Sequence, residues 1–136
     1  CRGRGEIIEP VDPLGKLHFV VVRPPVGLGT AEVYRACHAA AEPRHCGELI
    51  RSLRRGCLAQ AGRGFHNALQ PAASSVTPWI ERLQREFTQL GVIAHQMSGS
   101  GSSYFGLCTH AVQARRLAAR LRQRGVGRVF AISSVV

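Results

Sequence analysis

Residues 98–102 alternate strictly between serine and glycine, and we call them the Ser-Gly loop: Ser98, Gly99, Ser100, Gly101 and Ser102. Glycines let a backbone approach a ligand and turn successive N–H groups into one concavity, and serine hydroxyls add hydrogen-bond donors. Such a loop suits a phosphate group. A hairpin connection between two strands also needs a short turn with a glycine. The residues alone therefore leave two interpretations open, a phosphate-binding loop and a plain hairpin tip.

A second group of chemically capable residues runs from Cys37 to Cys46, with His38 and His45 inside. Two cysteines and two histidines can hold zinc, but this spacing fits no standard zinc finger, and adjacent Cys-His pairs point in different directions on a helix. The chain's cysteines are odd in number and form no C-x-x-C pair, which favours free thiols in a reducing compartment. We therefore predict no metal site and a cytoplasmic protein.

The net charge of +10 comes almost wholly from arginine, since Lys16 is the only lysine. This excess attracts anions such as nucleic acid, phosphorylated metabolites or an acidic neighbouring domain, although a general arginine bias explains a solvated basic surface equally well. The 136 residues, 45% of them hydrophobic, suffice for one domain, and no stretch is long enough to cross a membrane. The chain begins at Cys1 and its single methionine is Met97, so we expect a piece of a longer polypeptide.

The first half of the chain predicts one strand followed by helices. "GKLHFVVVRPP" is rich in β-branched residues and indicates a strand over 16–23, stopped by two prolines. "GTAEVYRACHAAA" favours a helix with Thr30 as its N-cap, and "CGELIRSLRRGCLA" favours a second helix with one apolar face. "GRGFHNALQPAASS" contains turn residues and predicts a break between elements.

The second half predicts a helix, two strands around the Ser-Gly loop, a helix and a strand. Thr77 suits an N-cap, Pro78 the first helical position and Gly91 the C′ position of the first of these helices. The whole order matches the split β-α-β-β-α-β plan, with extra helices in the first crossover. We therefore predict an α+β, ferredoxin-like fold whose mostly antiparallel sheet carries helices on one face.

Four segments carry a resemblance to a known family. "HQMSGSGSSYFGL" resembles the third conserved motif of the GHMP kinases, which are named after galactokinase, homoserine kinase, mevalonate kinase and phosphomevalonate kinase. "GRGEIIEPVD", "LHFVVVRPPVGLGTAEVYRA" and "FHNALQPAA" precede it in the order found in one branch of that family. The resemblance extends from about Gly3 to the end of the chain.

That branch implies a definite function. Its members transfer the γ-phosphate of ATP, with Mg²⁺, to the 2-hydroxyl of 4-diphosphocytidyl-2-C-methyl-D-erythritol, in the cytoplasm, as part of non-mevalonate isoprenoid synthesis. They have two domains with the active site in the cleft between them. The resemblance implies that residues 1–15 are the end of, or linker from, a missing N-terminal kinase domain. Residues 16–136 would then form the C-terminal substrate and lid domain.

The resemblance also assigns roles to individual residues. Gly99, Ser100 and Gly101 match the motif that faces the phosphates, with Ser98 and Ser102 flanking it. Tyr34 falls where the family places an aromatic ring against cytosine, and Thr30 is kept from a Pro-Thr-Pro segment whose prolines are absent here.

Asn67 matches an Asn-containing segment of the branch and could serve as a helix cap.

The resemblance also implies that some functional residues lie outside this chain. The family's catalytic base, its lysine and its ATP loop belong to the first domain, so we expect no catalytic residue in this chain and interpret Asp12 and Lys16 as surface charges. The expected partners are the cytidine-diphosphate substrate, ATP and the missing N-terminal domain.

Two other functions are compatible with the sequence. One is a GHMP kinase with a different acceptor. The other is a non-enzymatic RNA-binding module of the same strand order, which needs aromatic side chains on its strands to stack bases. The strand aromatics Phe19, Tyr104, Phe105 and Phe130 lack the basic-glycine-aromatic signature of such modules, so we do not expect a nucleic-acid partner. Arginines on the sheet face would favour RNA, whereas arginines on the helix backs would favour the kinase.

Overall fold

A four-stranded antiparallel sheet lies at the centre of the computed structural model, which describes residues 15–38 and 45–135. Its strands are β1 (His18–Arg23), β2 (Ala94–Met97), β3 (Tyr104–Cys108) and β4 (Arg128–Ser133). The described helices are α1 (Thr30–Ala36), α2 (Gly47–Arg54), α3 (Leu58–Arg63), α4 (Gln70–Val76), α5 (Pro78–Thr88) and α6 (Ala111–Gln123). The strand order β2-β3-β1-β4 is the split β-α-β-β-α-β arrangement with additional helices between β1 and β2, so the predicted fold class is confirmed.

Strand β1 occupies a central place because its β-branched residues can be buried between two neighbours. Val20 pairs with Gly106 on one side and Ala131 on the other. Val20 and Val22 are fully buried, which a central strand with one covered face requires. The strand begins at His18, two residues later than the sequence pattern predicts.

Helices α5 and α6 cover one face of the sheet and contribute many of the core residues. The spacing of apolar residues along these two segments predicts inward residues that are all buried: Ile80, Leu83, Phe87, Leu90, Ala114, Leu117, Ala118 and Leu121. The ring of Phe87 lies directly over Gly106, where an added Cβ would stand 2.9 Å from the ring carbons. Glycine at that position therefore permits the close approach of α5 to β3.

The N-terminal end of α5 follows the predicted capping residues, whereas its C-cap is Gln89, so Gly91 lies one position beyond the predicted C′. The Thr77 side chain accepts a hydrogen bond from the N–H of Trp79, at 3.4 Å, and Pro78 takes the first turn, where no backbone donor is needed. Gly91 adopts a φ of +68° just beyond the helix, in the left-handed region that glycine favours.

Three features differ from the expectations. The single helix predicted over 46–59 is interrupted, because α2 ends at Arg54 and α3 begins at Leu58, with Gly56 at a φ of +69° between them. Helix α1 has Gly29 as its N-cap and Thr30 as its first helical residue, so the predicted cap is wrong by one position. The predicted break contains α4, which forms because Pro71 is tolerated in a first helical turn. No described helix combines the length and the apolar character needed to cross a membrane.

Helices α2 and α3 lie on the side of the sheet opposite to α5 and α6. Phe19 and Phe105 alternate with the buried residues of their strands and so lie on the opposite face. Together with Leu49 and Leu53 of α2, they line an apolar pocket of about 370 Å³.

Candidate functional site

The Ser-Gly loop is a tight turn between β2 and β3. The N–H of Ser98 donates to the carbonyl of Ser103 at 2.9 Å, and the N–H of Gly101 donates to the carbonyl of Ser98 at 3.0 Å. Both glycines have positive φ, +57° at Gly99 and +94° at Gly101. The turn therefore explains why two glycines are needed, whether or not a ligand binds.

The two glycines have different surroundings. An added Cβ at Gly101 would stand 2.7 Å from Leu28 Cδ1 and 2.9 Å from Met97 Sδ, so these side chains would have to shift to admit it. An added Cβ at Gly99 would meet nothing within 4 Å. The free surface of the loop is therefore at Gly99.

The serine side chains also divide into two groups. Ser102 is 8% exposed, and its hydroxyl donates to the carbonyl of Val26, which ties the loop to the segment after β1. Ser98 is exposed, and the Ser100 hydroxyl lies 3.1 Å from that of Thr30. Ser98 and Ser100 thus remain accessible to a ligand, whereas Ser102 has a structural bond.

Helix α1 brings the two predicted cytidine-binding residues to the edge of the loop. Thr30 begins the helix and reaches Ser100, and Tyr34 follows one turn later on the same helix face. The Tyr34 side chain is 60% exposed, which is unusual for an aromatic residue and leaves its ring accessible.

A pocket of about 330 Å³ lies between the loop and the segment that follows β1. Its lining includes Arg23, Gly101 and Ser103. The Arg23 side chain is exposed at the end of β1 and places a positive charge beside the loop. This charge and the backbone donors of the turn favour an anionic group.

Asn67 and Gln70 form side-chain hydrogen bonds to the backbone of the loop and of the end of β2. The Asn67 amide donates to the carbonyls of Met97 and Gly99, both at 2.8 Å, and Gln70 Oε1 accepts from the N–H of Met97 at 2.8 Å. The sequence comparison suggested only a cap for Asn67 and no role for Gln70. The single signal for Asn67 was its match to an Asn-containing segment of the resembling branch.

Gln70 also begins a polar chain that leads away from the loop. It donates to the Tyr104 hydroxyl, which lies 3.0 Å from His95 Nδ1. Burial raises the pKa of Tyr104 to about 12 and lowers the pKa of His95 below its ordinary value. Both side chains are therefore neutral at physiological pH, as a half-buried network requires.

Within the described ranges, no group of three or more His, Cys, Asp or Glu side chains could hold a metal ion. The Cys37 thiol donates to the carbonyls of His38 and Ala68, and residues 39–44, which connect the two halves of the cluster, lie outside the described residues. The loop offers hydroxyl and N–H groups but no carboxylate, which fits a phosphate oxygen and does not fit Mg²⁺, whose protein ligands are chiefly carboxylates.

Arginines lie almost entirely on the helices. Along 15–38 and 45–135, only Arg23 and Arg128 are on strands, and they pair at one end of β1 and β4. The other described arginines lie on helices or in the short segments that follow them. This distribution is the one expected for the kinase interpretation and not for an RNA-binding sheet.

Residues 49–127 match the family model described as "GHMP kinases C terminal". The chain is 35% identical over 125 residues to a 4-diphosphocytidyl-2-C-methyl-D-erythritol kinase of Pelotomaculum thermopropionicum, covering 90% of this chain and 44% of the relative. It is 34% identical over 120 residues to the kinase of that name from Rhodopirellula baltica, covering 88% of this chain and 36% of the relative.

The chain is also similar to solved structures of kinases. A crystal structure of 4-(cytidine 5'-diphospho)-2C-methyl-D-erythritol kinase matches 98% of this chain and 48% of its own, with a TM-score of 0.82 and 30% identity. A homoserine kinase from Cytophaga hutchinsonii matches with a TM-score of 0.68 at 19% identity, covering 96% of this chain and 44% of its own, and so shares the fold. The chain spans less than half the length of each of these proteins.

Proposed function

The chain belongs to the GHMP kinases, whose C-terminal domain it contains, and we propose that it is the substrate and lid half of an ATP-dependent small-molecule kinase. The acceptor we propose is the 2-hydroxyl of 4-diphosphocytidyl-2-C-methyl-D-erythritol, in non-mevalonate isoprenoid synthesis. The names of the similar kinases support this acceptor.

One contact carries the proposal: the Thr30 and Ser100 hydroxyls lie 3.1 Å apart. This contact joins the helix that presents the exposed Tyr34 ring to the loop that suits a phosphate. A cytosine stacked on Tyr34 would direct the attached phosphates toward Ser100 and the open surface at Gly99. A cytidine diphosphate has this combination of a flat ring and nearby phosphates.

Phosphoryl transfer depends mostly on positioning and on stabilising charge around the phosphates. In this proposal Ser98, Ser100 and backbone N–H groups donate to phosphate oxygens, and Arg23 adds a nearby positive charge. When bound, ATP supplies the phosphoryl group. We assign Mg²⁺ to the nucleotide phosphates and to residues outside the described part of this chain.

We further propose that the catalytic base, its lysine and the ATP loop come from a first domain joined through residues 1–15. Asp12 lies outside the described residues, and Lys16 is exposed at the start of β1, in keeping with a surface charge. The chain would thus complete an active site in the cytoplasm without supplying its acid–base chemistry.

The RNA-binding alternative has less support. Phe19 and Phe105 occupy the two central strands, but their rings pack edge to face, with centroids 5.9 Å apart. The centroid of the Phe65 ring lies 5.8 Å from that of Phe105. They also share a pocket with α2, so they do not form an open stacking surface.

The test is a kinase assay on the protein that joins this chain to its first domain. We expect ADP release with ATP and 4-diphosphocytidyl-2-C-methyl-D-erythritol, and turnover lower by orders of magnitude with homoserine or mevalonate. Equal turnover with one of these other acceptors would contradict the proposed substrate and favour a different GHMP kinase.

A further inference from the structure

Asn67 lies in the turn before α4, and its side chain spans the gap to the Ser-Gly loop. Its Oδ1 accepts from the N–H of Leu69 at 3.0 Å, while its Nδ2 donates to the carbonyls of Met97 and Gly99. Both amide hydrogens and the amide oxygen therefore have partners. These partners also fix which end of the amide faces the loop, because a carbonyl accepts and an N–H donates.

The bond to the Gly99 carbonyl has a consequence for the next residue. The peptide between Gly99 and Ser100 is trans, so its C=O and N–H point in opposite directions. Asn67 draws the Gly99 carbonyl inward, and the Ser100 N–H must then point away from Asn67. Among the described residues that N–H has no hydrogen-bond partner.

The Ser100 N–H is therefore a fixed donor next to the open surface at Gly99. A backbone donor that is held in place before a ligand arrives stabilises developing negative charge without a cost of reorganisation. Its direction is set by a side chain 32 residues away along the chain. Without the hydrogen bond from Asn67, the Gly99–Ser100 peptide could rotate to point its N–H in either direction, since glycine adopts many backbone conformations.

We propose that Asn67 is a positioning residue that orients the Gly99–Ser100 peptide, so that the Ser100 N–H donates to a phosphate oxygen during transfer. The inference rests on the proposed function for its phosphate. It assigns Asn67 no contact with substrate; the residue acts through the loop.

Asn67→Asp is the decisive variant because it replaces one nitrogen by oxygen. The carboxylate keeps the bond from Leu69 but cannot donate, and it faces the carbonyls of Met97 and Gly99. Ala68→Asp is the matched control, since it adds the same charge at the neighbouring exposed position and keeps the Asn67 amide.

In the two-domain kinase we expect Asn67→Asp to lower kcat about tenfold or more and to change KM for the cytidine substrate less than about twofold. Ala68→Asp should keep kcat within about twofold of wild type. Wild-type kcat in Asn67→Asp, or an equal loss in Ala68→Asp, would overturn the positioning role.

A second measurement does not depend on catalysis. In the ¹⁵N-serine-labelled chain, the Ser100 amide resonance should move in Asn67→Asp and stay in place in Ala68→Asp. If Asn67→Asp does not fold, Asn67→Ser removes both donated bonds without a charge and should move the same resonance. An unmoved Ser100 resonance in a folded variant overturns the inference, whereas a wild-type kinase inactive on the cytidine substrate overturns only the proposed function.

Discussion

The two glycines of the Ser-Gly loop should respond differently to alanine. Gly101→Ala combines positive φ with contacts under 3.0 Å to Leu28 and Met97, so we expect a loss of about 2–4 kcal/mol in the free energy of unfolding. Gly99→Ala meets open space and should lose only the backbone term, about 1–2 kcal/mol. Urea denaturation of both variants measures the difference, and equal losses would contradict the packing argument.

Gly99→Ala also distinguishes a phosphate-binding loop from a plain hairpin turn. A methyl group at Gly99 occupies the surface that a phosphate would approach, so the two-domain kinase carrying Gly99→Ala should fold and yet turn over about a hundredfold more slowly. Normal turnover by this folded variant would leave the loop as a hairpin turn alone.

Tyr34→Ala should weaken binding of the cytidine substrate and little else. Stacking is worth roughly 1–3 kcal/mol per base, so KM for that substrate should rise about tenfold or more in the two-domain kinase. KM for ATP should stay within about twofold. Because Tyr34 is 60% exposed, the melting temperature should hardly change. An equal rise of both KM values would indicate a folding defect.

Local sequence was informative wherever a residue's role depends on its neighbours. The regular patterns on either side of the Ser-Gly loop predicted strands there, and the helix that carries Tyr34 was predicted with its cap one residue too late. The roles of Asn67 and Ser102 were not predictable in this way, since their partners lie 30 or more residues away along the chain. The assignments of the Ser-Gly loop, Thr30 and Tyr34 to phosphate and cytidine stay predictions.

At the scale of the elements, the polar chain behind the loop should make stability depend on pH. Burial lowers the pKa of His95 in the folded state below its ordinary value of 6.5, so protonation costs more in the folded chain than in the unfolded one. Its contribution to stability is complete above pH 6.5 and is lost as the pH falls through the folded-state pKa.

The comparison is between wild type and His95→Gln in urea denaturation from pH 7.5 to 5. Wild type should lose more unfolding free energy than the variant over that interval. The remaining histidines are common to both proteins, so identical pH profiles would mean that His95 does not titrate differently on folding.

Elements with regular patterns and clear end signals were predictable. Helices α5 and α6 bury the apolar residues that recur at helical spacing, and α5 begins at its expected cap, Thr77, although Gly91 lies one position beyond the predicted C′. The segment 62–75, which contains the end of α3 and most of α4, was predicted as a break, because glycines and Pro71 dominate its local signal. These short helices form against the rest of the domain: an added Cβ at Gly62 of α3 would stand 3.0 Å from Ala94 of β2. Such tertiary contacts override local preference.

At the scale of the whole molecule, the isolated chain should fold and not turn over. Its core is continuous across the sheet, α5 and α6, while the proposed base and ATP loop belong to another domain. The pure chain should melt cooperatively by circular dichroism and release no ADP from ATP with the cytidine substrate. The two-domain protein under the same conditions is the control. Turnover by the pure chain would contradict the division of roles between the domains.

The central place of β1 has a further consequence during synthesis. Its two neighbours, β3 and β4, begin at residues 104 and 128, and Leu17 exchanges hydrogen bonds with Ser134. A ribosome therefore has to translate more than a hundred further residues before β1 gains both partners. Until then the nascent chain exposes Val20 and Val22, so the sheet is complete only after β4 has been made, and chaperones that shield apolar segments matter most during that interval.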